Sequence, residues 1–192
     1  DVLKKLQAEL LDFENTGMSI MEVSHRSPEY DKVHHDAIAL TKELMGLDDS
    51  YKVLFVGGGA STQFAYIPMN FLHKGKVGAY VDTGTWSTKA IKEAQILGKV
   101  HLAGSSKDSG YTFIPQPEEI HFPENAAYLH ITTNNTIKGT QYHKLPDTGK
   151  VYLIADMSSD ILSHQIDFSK FSMIYAGAQK NLGPSGVTMI VM

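Results

Sequence analysis

Cysteine is absent from the 192 residues, which excludes a disulfide framework, a thiolate metal site and a cysteine nucleophile. Long apolar runs are absent too. None approaches the roughly 20 residues that a membrane-spanning helix requires, so no membrane partner is expected. Charge of one sign is lacking: seventeen basic side chains face twenty-one acidic ones, for a net charge of -4. The basic residues are scattered rather than clustered, which argues against a nucleic-acid surface. Repeats, low-complexity tracts and Pro/Gly/Ser linkers are missing as well. Tryptophan occurs once, at Trp86, and arginine once, at Arg26, against sixteen lysines. A chain that otherwise uses Lys keeps a guanidinium at one place only.

What is present is an ordinary globular composition, 42% hydrophobic and 20% charged, long enough to bury a core. The chain starts inside an amphipathic pattern (Leu3, Leu6, Leu10, Leu11) and stops in a strand-like run, so it is expected to be a piece of a longer protein. No signal peptide is visible, and with no cysteine the expected compartment is the cytoplasm.

Seven short apolar runs read as strands: 52–56, 77–81, 99–103, 127–131, 151–155, 173–176 and 187–191. Most are apolar on both faces, the pattern of a parallel sheet covered by helices on both sides. Helices are predicted over 28–44, with Ser27 as N-cap and Pro28 at the first position, and over about 62–72, 85–97 and 117–120. The fold class is therefore α/β, with a mostly helical segment over 1–50 ahead of a sheet domain over 51–192.

The chemistry-bearing residues gather at the carboxyl ends of these strands, where open α/β sheets build ligand sites. Gly57-Gly-Gly-Ala-Ser-Thr62 follows the first strand and opens a helix, a turn whose backbone N–H groups can approach a phosphate. It lacks the Gly-Lys-Ser/Thr of a Walker loop and the third glycine of a dinucleotide fingerprint. A tight turn without a ligand accounts for it equally. Asp156 closes the fifth strand and Lys180 follows the sixth. A lysine nucleophile, a carboxylate and a phosphate loop on one rim are the parts that pyridoxal phosphate needs. Taken singly, Asp156 also reads as a helix cap and Lys180 as a solvated loop residue. Trp86, after the second strand, can stack on a cofactor ring or fill the core. Arg26, beside His25, suits bidentate recognition of a carboxylate or phosphate, or else a structural ion pair. His34-His35 lacks the spacing of a helical zinc pair, no other metal site is expected, and His130 in its apolar strand reads as a hydrogen-bonded core residue. Asn134-Asn-Thr136 fits a glycosylation sequon, which carries no weight without a secretion signal.

Ser24-His-Arg-Ser27, Val56-Gly-Gly-Gly-Ala-Ser-Thr-Gln-Phe64, Asn134-Asn-Thr-Ile-Lys-Gly139, Ala155-Asp-Met-Ser-Ser159 and Tyr175-Ala-Gly-Ala-Gln-Lys-Asn-Leu-Gly-Pro-Ser-Gly186 together resemble the phosphoserine aminotransferase family. The match is ordered and spans nearly the whole chain. The resemblance implies a PLP-dependent transferase large domain, with a mostly parallel seven-stranded sheet, one antiparallel strand and helices on both faces. It implies a homodimer, pyridoxal 5'-phosphate as cofactor, and amino transfer from glutamate to 3-phosphohydroxypyruvate in serine synthesis and, in some bacteria, pyridoxine synthesis. Carried over residue by residue, Lys180 binds the cofactor covalently, Asp156 partners the pyridine nitrogen and Trp86 stacks on the ring. Gly59, Ala60 and Ser61 donate to the phosphate, Thr136 and Gln179 add polar contacts, and His25 and Arg26 receive the substrate's distal acidic group. Two departures stand out. The family's opening Gly-Pro-Ala stretch and its C-terminal small domain lie outside these residues, so this piece alone is expected to be inactive. Some relatives also carry an Arg in the glycine-rich loop where this chain reads Ala60-Ser-Thr62. The rivals are another PLP aminotransferase of the same fold, of the alanine–glyoxylate type, and a scaffold that has lost the chemistry.

Overall fold

A computed structural model describes all 192 residues, Asp1–Met192, as two compact units, Asp1–Gly46 and Leu47–Met192. In the first unit, α1 (Val2–Glu9) buries no residue, and α2 (Pro28–Met45) starts where the sequence predicts. The Ser27 hydroxyl accepts from Tyr30 N at 3.3 Å, and Gly46, at φ +63°, closes the helix by donating to the last carbonyls. The stretch between them is turn rather than the helix expected over most of 1–50. Glu14, Asn15 and Gly17 all have positive φ, which no right-handed helix accommodates.

The second unit holds β1 (Val53–Gly57), α3 (Gln63–Phe71), β2 (Val77–Asp82), α4 (Thr85–Leu97), β3 (Val100–Ser105), β4 (Ala126–Thr132), a hairpin of β5 (Asn134–Asn135) and β6 (Thr140–Gln141), β7 (Tyr152–Asp156), β8 (Met173–Gly177) and β9 (Val187–Val191). The seven-stranded sheet runs β1-β9-β8-β7-β4-β2-β3. Only β9 runs against its neighbours, β1 and β8, and every other pairing is parallel. All seven predicted strands are present to within a residue or two. The helix expected over 117–120 is a single 3-10 turn, Pro117–Glu119, and α3 is entered through another, Ala60–Thr62. The two-residue strands of the hairpin are too short to leave a period in the sequence.

Alternation along the strands sorts side chains onto two faces. One carries Tyr80, Tyr128, Ile154, Met173, Tyr175 and Ile190, packed against Phe64 and Ile67 of α3 and Ala90 and Ala94 of α4. The other carries Ala79, Val81, Leu129, Ile131, Leu153, Ala155, Ile174 and Ala176, all buried. The first face is unusually polar for a core. Tyr80 Oη and Tyr128 Oη lie 2.6 Å apart, and His130 Nε2 is 2.9 Å from Tyr175 Oη. Burial pushes the His130 imidazole down to about 3 and raises the Tyr128 phenol to about 12. Hydrogen bonding makes this burial tolerable, as the sequence predicts for His130.

A pH dependence follows. Above its ordinary pKa, His130 is neutral in both states and contributes nothing. As pH falls below about 6.5, the unfolded chain takes up a proton that the folded one refuses until about pH 3, so folding stability falls. Between pH 7 and pH 5 this one group should remove about 2 kcal/mol. Urea unfolding of the wild type and His130→Gln at the two pH values measures it. The wild type should lose about 2 kcal/mol more than the variant over this interval.

Candidate functional site

The carboxyl ends of β1, β2, β4, β7 and β8 surround a cavity of about 110 Å³. Its wall includes Gly59, Ala60, Ser61, Phe64, Trp86, Thr132, Asn134, Thr136, Asp156, Ser158, Ser159, Gln179 and Lys180. Each supporting turn has a local cause. After β1 the chain turns at Gly58, whose φ of +106° only glycine adopts easily. The turn is pinned by Gly58 N donating to Gly186 O at 2.9 Å and by the Thr188 hydroxyl on Gly58 O at 3.1 Å. Ala60 and Ser61, whose N–H groups open the 3-10 turn without a partner inside it, line the cavity.

After β2, Asp82 is the anchor. Ser87 and Thr88 donate to its Oδ1, both at 2.9 Å, and Tyr111 Oη donates to Oδ2 at 3.1 Å. The Ser87 hydroxyl also accepts from Thr83 N and Gly84 N at 2.9 Å, so the first turn of α4, and Trp86 within it, is fixed from below. After β4, the Asn134 amide donates to Ser159 Oγ at 2.8 Å, which ties the hairpin to the segment following β7. The hairpin then carries Thr136 to the wall, where its hydroxyl accepts from Lys180 Nζ at 2.6 Å.

Asp156 ends β7 only 5% exposed. Its Oδ1 accepts from Ser158 N at 3.0 Å and Ser158 Oγ at 2.6 Å, and that hydroxyl in turn accepts from Gly177 N at 3.1 Å. Burial raises the carboxyl above its ordinary value, opposed by the Ser158 hydrogen bonds and the Lys180 charge. Lys180 sits in the turn after β8, where Leu182 N and Gly183 N both return to Ala178 O. It is exposed, its Nζ is 5.8 Å from the centre of the Trp86 ring, and it is the only amine in the wall. Two polar atoms of the wall residues, Trp86 Nε1 and Thr132 Oγ1, are buried without a partner.

The structure thus brings together eight residues singled out in the sequence: Gly59, Ala60, Ser61, Trp86, Thr136, Asp156, Gln179 and Lys180. His25 and Arg26 belong to the other unit. Sequence reasoning missed Thr132, Asn134, Ser158 and Ser159. Two of them left a signal. Ser158 stands two residues after Asp156, the spacing of an Asx turn, and Thr132 falls on the same strand face as His130 by simple alternation.

A model of the aminotransferase class-V family matches residues 1–192. The chain is similar to the phosphoserine aminotransferase of Halalkalibacterium halodurans, 57% identical over 192 residues, which are 100% of this chain and 53% of that protein. It superposes on the solved phosphoserine aminotransferase of Bacillus circulans subsp. alkalophilus with a TM-score of 0.98 at 55% identity, covering 100% of this chain and 53% of that one. A PLP-bound phosphoserine aminotransferase from Trichomonas vaginalis superposes with a TM-score of 0.89 at 34% identity, covering 99% and 53%. The chain therefore spans about half the length of the curated relatives it matches.

The support beneath Trp86 is testable because this is the only tryptophan. A Cβ on Gly84 would lie 2.8 Å from Asn135 Oδ1, the acceptor of Thr83 Oγ1, at a buried residue with little room to move. Gly84→Ala should cost about 1–3 kcal/mol in urea unfolding and shift the Trp86 fluorescence maximum. Adding Asn135→Ala should relieve part of the strain, which a double-mutant cycle reads as a positive coupling.

Proposed function

This chain belongs to the aminotransferase class-V family, and on that premise we propose that it takes part in amino transfer from glutamate to 3-phosphohydroxypyruvate, giving O-phosphoserine and 2-oxoglutarate. The cofactor is pyridoxal 5'-phosphate. The observation that carries the reading is the meeting of Lys180, Asp156 and Trp86 on one cavity wall.

The wall fits that cofactor on three counts. A buried carboxylate whose pKa is raised by burial calls for a cationic partner beyond Lys180. Two buried polar atoms in wall residues await partners. Ala60 and Ser61 bring to the wall main-chain N–H groups that have no partner within the 3-10 turn, and such groups suit an anion. When bound, the cofactor supplies an electron-accepting ring and a carbonyl carbon that exchanges amino groups.

The chain's own residues supply the rest. Lys180 Nζ, held by Thr136, is the amine that would hold the cofactor, and as a free amine it would take up the proton lost from the donor's α-carbon. Asp156 holds a positive charge on the ring nitrogen, which its position out of water strengthens. Trp86 covers one face of the ring, and Gly59, Ala60 and Ser61 bind the phosphate through their main chain. Thr136 and Gln179 complete the polar lining. Arg26, with His25, reads the distal acidic group of either substrate through a bidentate fork that Lys lacks.

The reading extends to residues 51–192 as the cofactor-binding part of a large domain, with the segment of 1–50 ahead of it. It extends further to a homodimeric cytoplasmic protein with a C-terminal small domain, to a place in serine synthesis, and to a second role in pyridoxine synthesis. That relatives of this similarity are about twice as long supports the further domain. No helix here is long and apolar enough to cross a membrane.

The test is a coupled assay of the full-length protein with glutamate or alanine as donor. Arg26→Lys should raise KM for glutamate and 3-phosphohydroxypyruvate about ten- to a hundredfold, and change that for alanine little. Equal losses for both donors would place Arg26 in the framework instead. Asp156→Asn should lower kcat by roughly two orders of magnitude or more.

A further inference from the structure

Asp156 does not stand alone on its face of the sheet. Its partner across the parallel β7–β8 pairing is Tyr175, which is fully buried, and Tyr175 Oη is 2.9 Å from Nε2 of the buried His130 on β4. His130 Nδ1 makes no well-formed hydrogen bond, its one polar contact being the residue's own backbone. The imidazole is held from its other side by the Tyr80 ring, 5.0 Å away, and Tyr80 is locked in turn by its contact with Tyr128 Oη. Ser158 occupies Asp156 Oδ1 from both its N–H and its hydroxyl, which leaves Oδ2 for other donors.

Elementary bookkeeping of protons gives these contacts a direction. An ionised carboxylate only accepts, and a neutral imidazole carries one proton. Were Tyr175 to donate to His130 Nε2, the imidazole proton would sit on Nδ1 as a buried N–H without a well-formed hydrogen bond, and the phenol would have no proton left for Asp156. Were His130 Nε2 to donate instead, Nδ1 would keep a bare lone pair and the phenol proton would be free to turn to the carboxylate. Orphaned buried donors are the rarer and costlier defect. An Nδ1 without a well-formed hydrogen bond is thus what the second arrangement leaves behind. Proximity of phenol and carboxylate is also felt electrostatically: after burial itself, the Asp156 charge is the largest cause of the raised Tyr175 pKa.

We propose that His130 and Tyr175 form a one-way donor relay, His130 Nε2–H to Tyr175 Oη and Tyr175 Oη–H to Asp156 Oδ2, that keeps Asp156 ionised and aimed at the cofactor's ring nitrogen. The role rests on the reading of Asp156 given under Proposed function. His130 and Tyr175 are positioning residues, since both act through Asp156. Three buried strands thereby share one hydrogen-bonded line that ends at the cavity.

Two measurements on the full-length protein test it. In the first, nitrogen NMR of protein labelled at histidine reads the His130 tautomer, with and without pyridoxal phosphate. The relay requires Nε2–H throughout pH of roughly 5 to 9, and an Nδ1–H tautomer overturns it. In the second, kcat and KM are compared after reconstitution with pyridoxal phosphate. Tyr175→Phe and His130→Leu should each lower kcat roughly tenfold while the glutamate KM stays within about twofold. His130→Gln, which returns a donor near the Nε2 position, should recover most of the loss. An unchanged kcat in Tyr175→Phe overturns the relay, as does a loss in which kcat and KM move together with thermal stability and Gln rescues nothing. A wild-type protein that holds no pyridoxal phosphate would instead overturn the functional reading and the relay's role with it. The tautomer would then still decide the direction of the His130–Tyr175 bond.

Discussion

A carboxylate held out of water is unfavourable unless donors and cations meet it. The second unit is organised around one such group. Asp156 ends β7 with its Oδ1 saturated by Ser158, and the same Ser158 hydroxyl receives Gly177 N from the end of β8. The hydrogen bonds that make the carboxylate tolerable therefore also fix the start of the turn carrying Gln179 and Lys180. Behind it, Thr133 N–H donates to the Asp156 carbonyl at 3.0 Å and the Thr133 hydroxyl to Asp160 Oδ1 at 2.6 Å, which ties in the segment leading to Thr136. Thr136 then meets Lys180. The amine and the carboxylate are thus placed by a closed circuit across three strand ends, so loosening one loosens the other.

A second such circuit surrounds Asp82, whose two oxygens gather Ser87, Thr88 and Tyr111 beneath the first turn of α4. It differs in what it leaves over. Asp82 is surrounded by donors from its own neighbourhood, so it serves as a peg that orients Trp86. Asp156 lies in the cavity wall with neighbours on the polar core, and it is the one suited to meeting a ligand charge. Both sit at carboxyl ends of parallel strands, where the chain leaves the sheet and backbone pairing no longer consumes every donor and acceptor.

The sheet is legible in the sequence because strands such as β4 and β7 are apolar on both faces, which marks strands covered on each side. The rim is legible because Asp156, Lys180 and the glycine loop each fall where a strand stops. Less visible are features made by contact between distant segments. Nothing local marks Asn134 as the partner of Ser159, or the two-residue strands β5 and β6 that present Thr136. The tyrosines on the helix-covered face also read as plain apolar strand positions, since a hydroxyl pair such as Tyr80 and Tyr128 exists only once β2 and β4 lie side by side. The turns between α1 and α2 fall inside a segment read as mostly helical, although Asn15 and Gly17 are residue types that favour a left-handed backbone.

The central claim is that Lys180 is the amine that holds the cofactor. Peptide mapping by mass spectrometry, after borohydride reduction of the full-length protein loaded with pyridoxal phosphate, tests it most directly. The account predicts a pyridoxyl mass on the peptide containing Lys180 and on no other, and none on any peptide of Lys180→Ala. Stoichiometric labelling of a different lysine, such as Lys89, whose Nζ lies 4.6 Å from the centre of the same Trp86 ring, would contradict it.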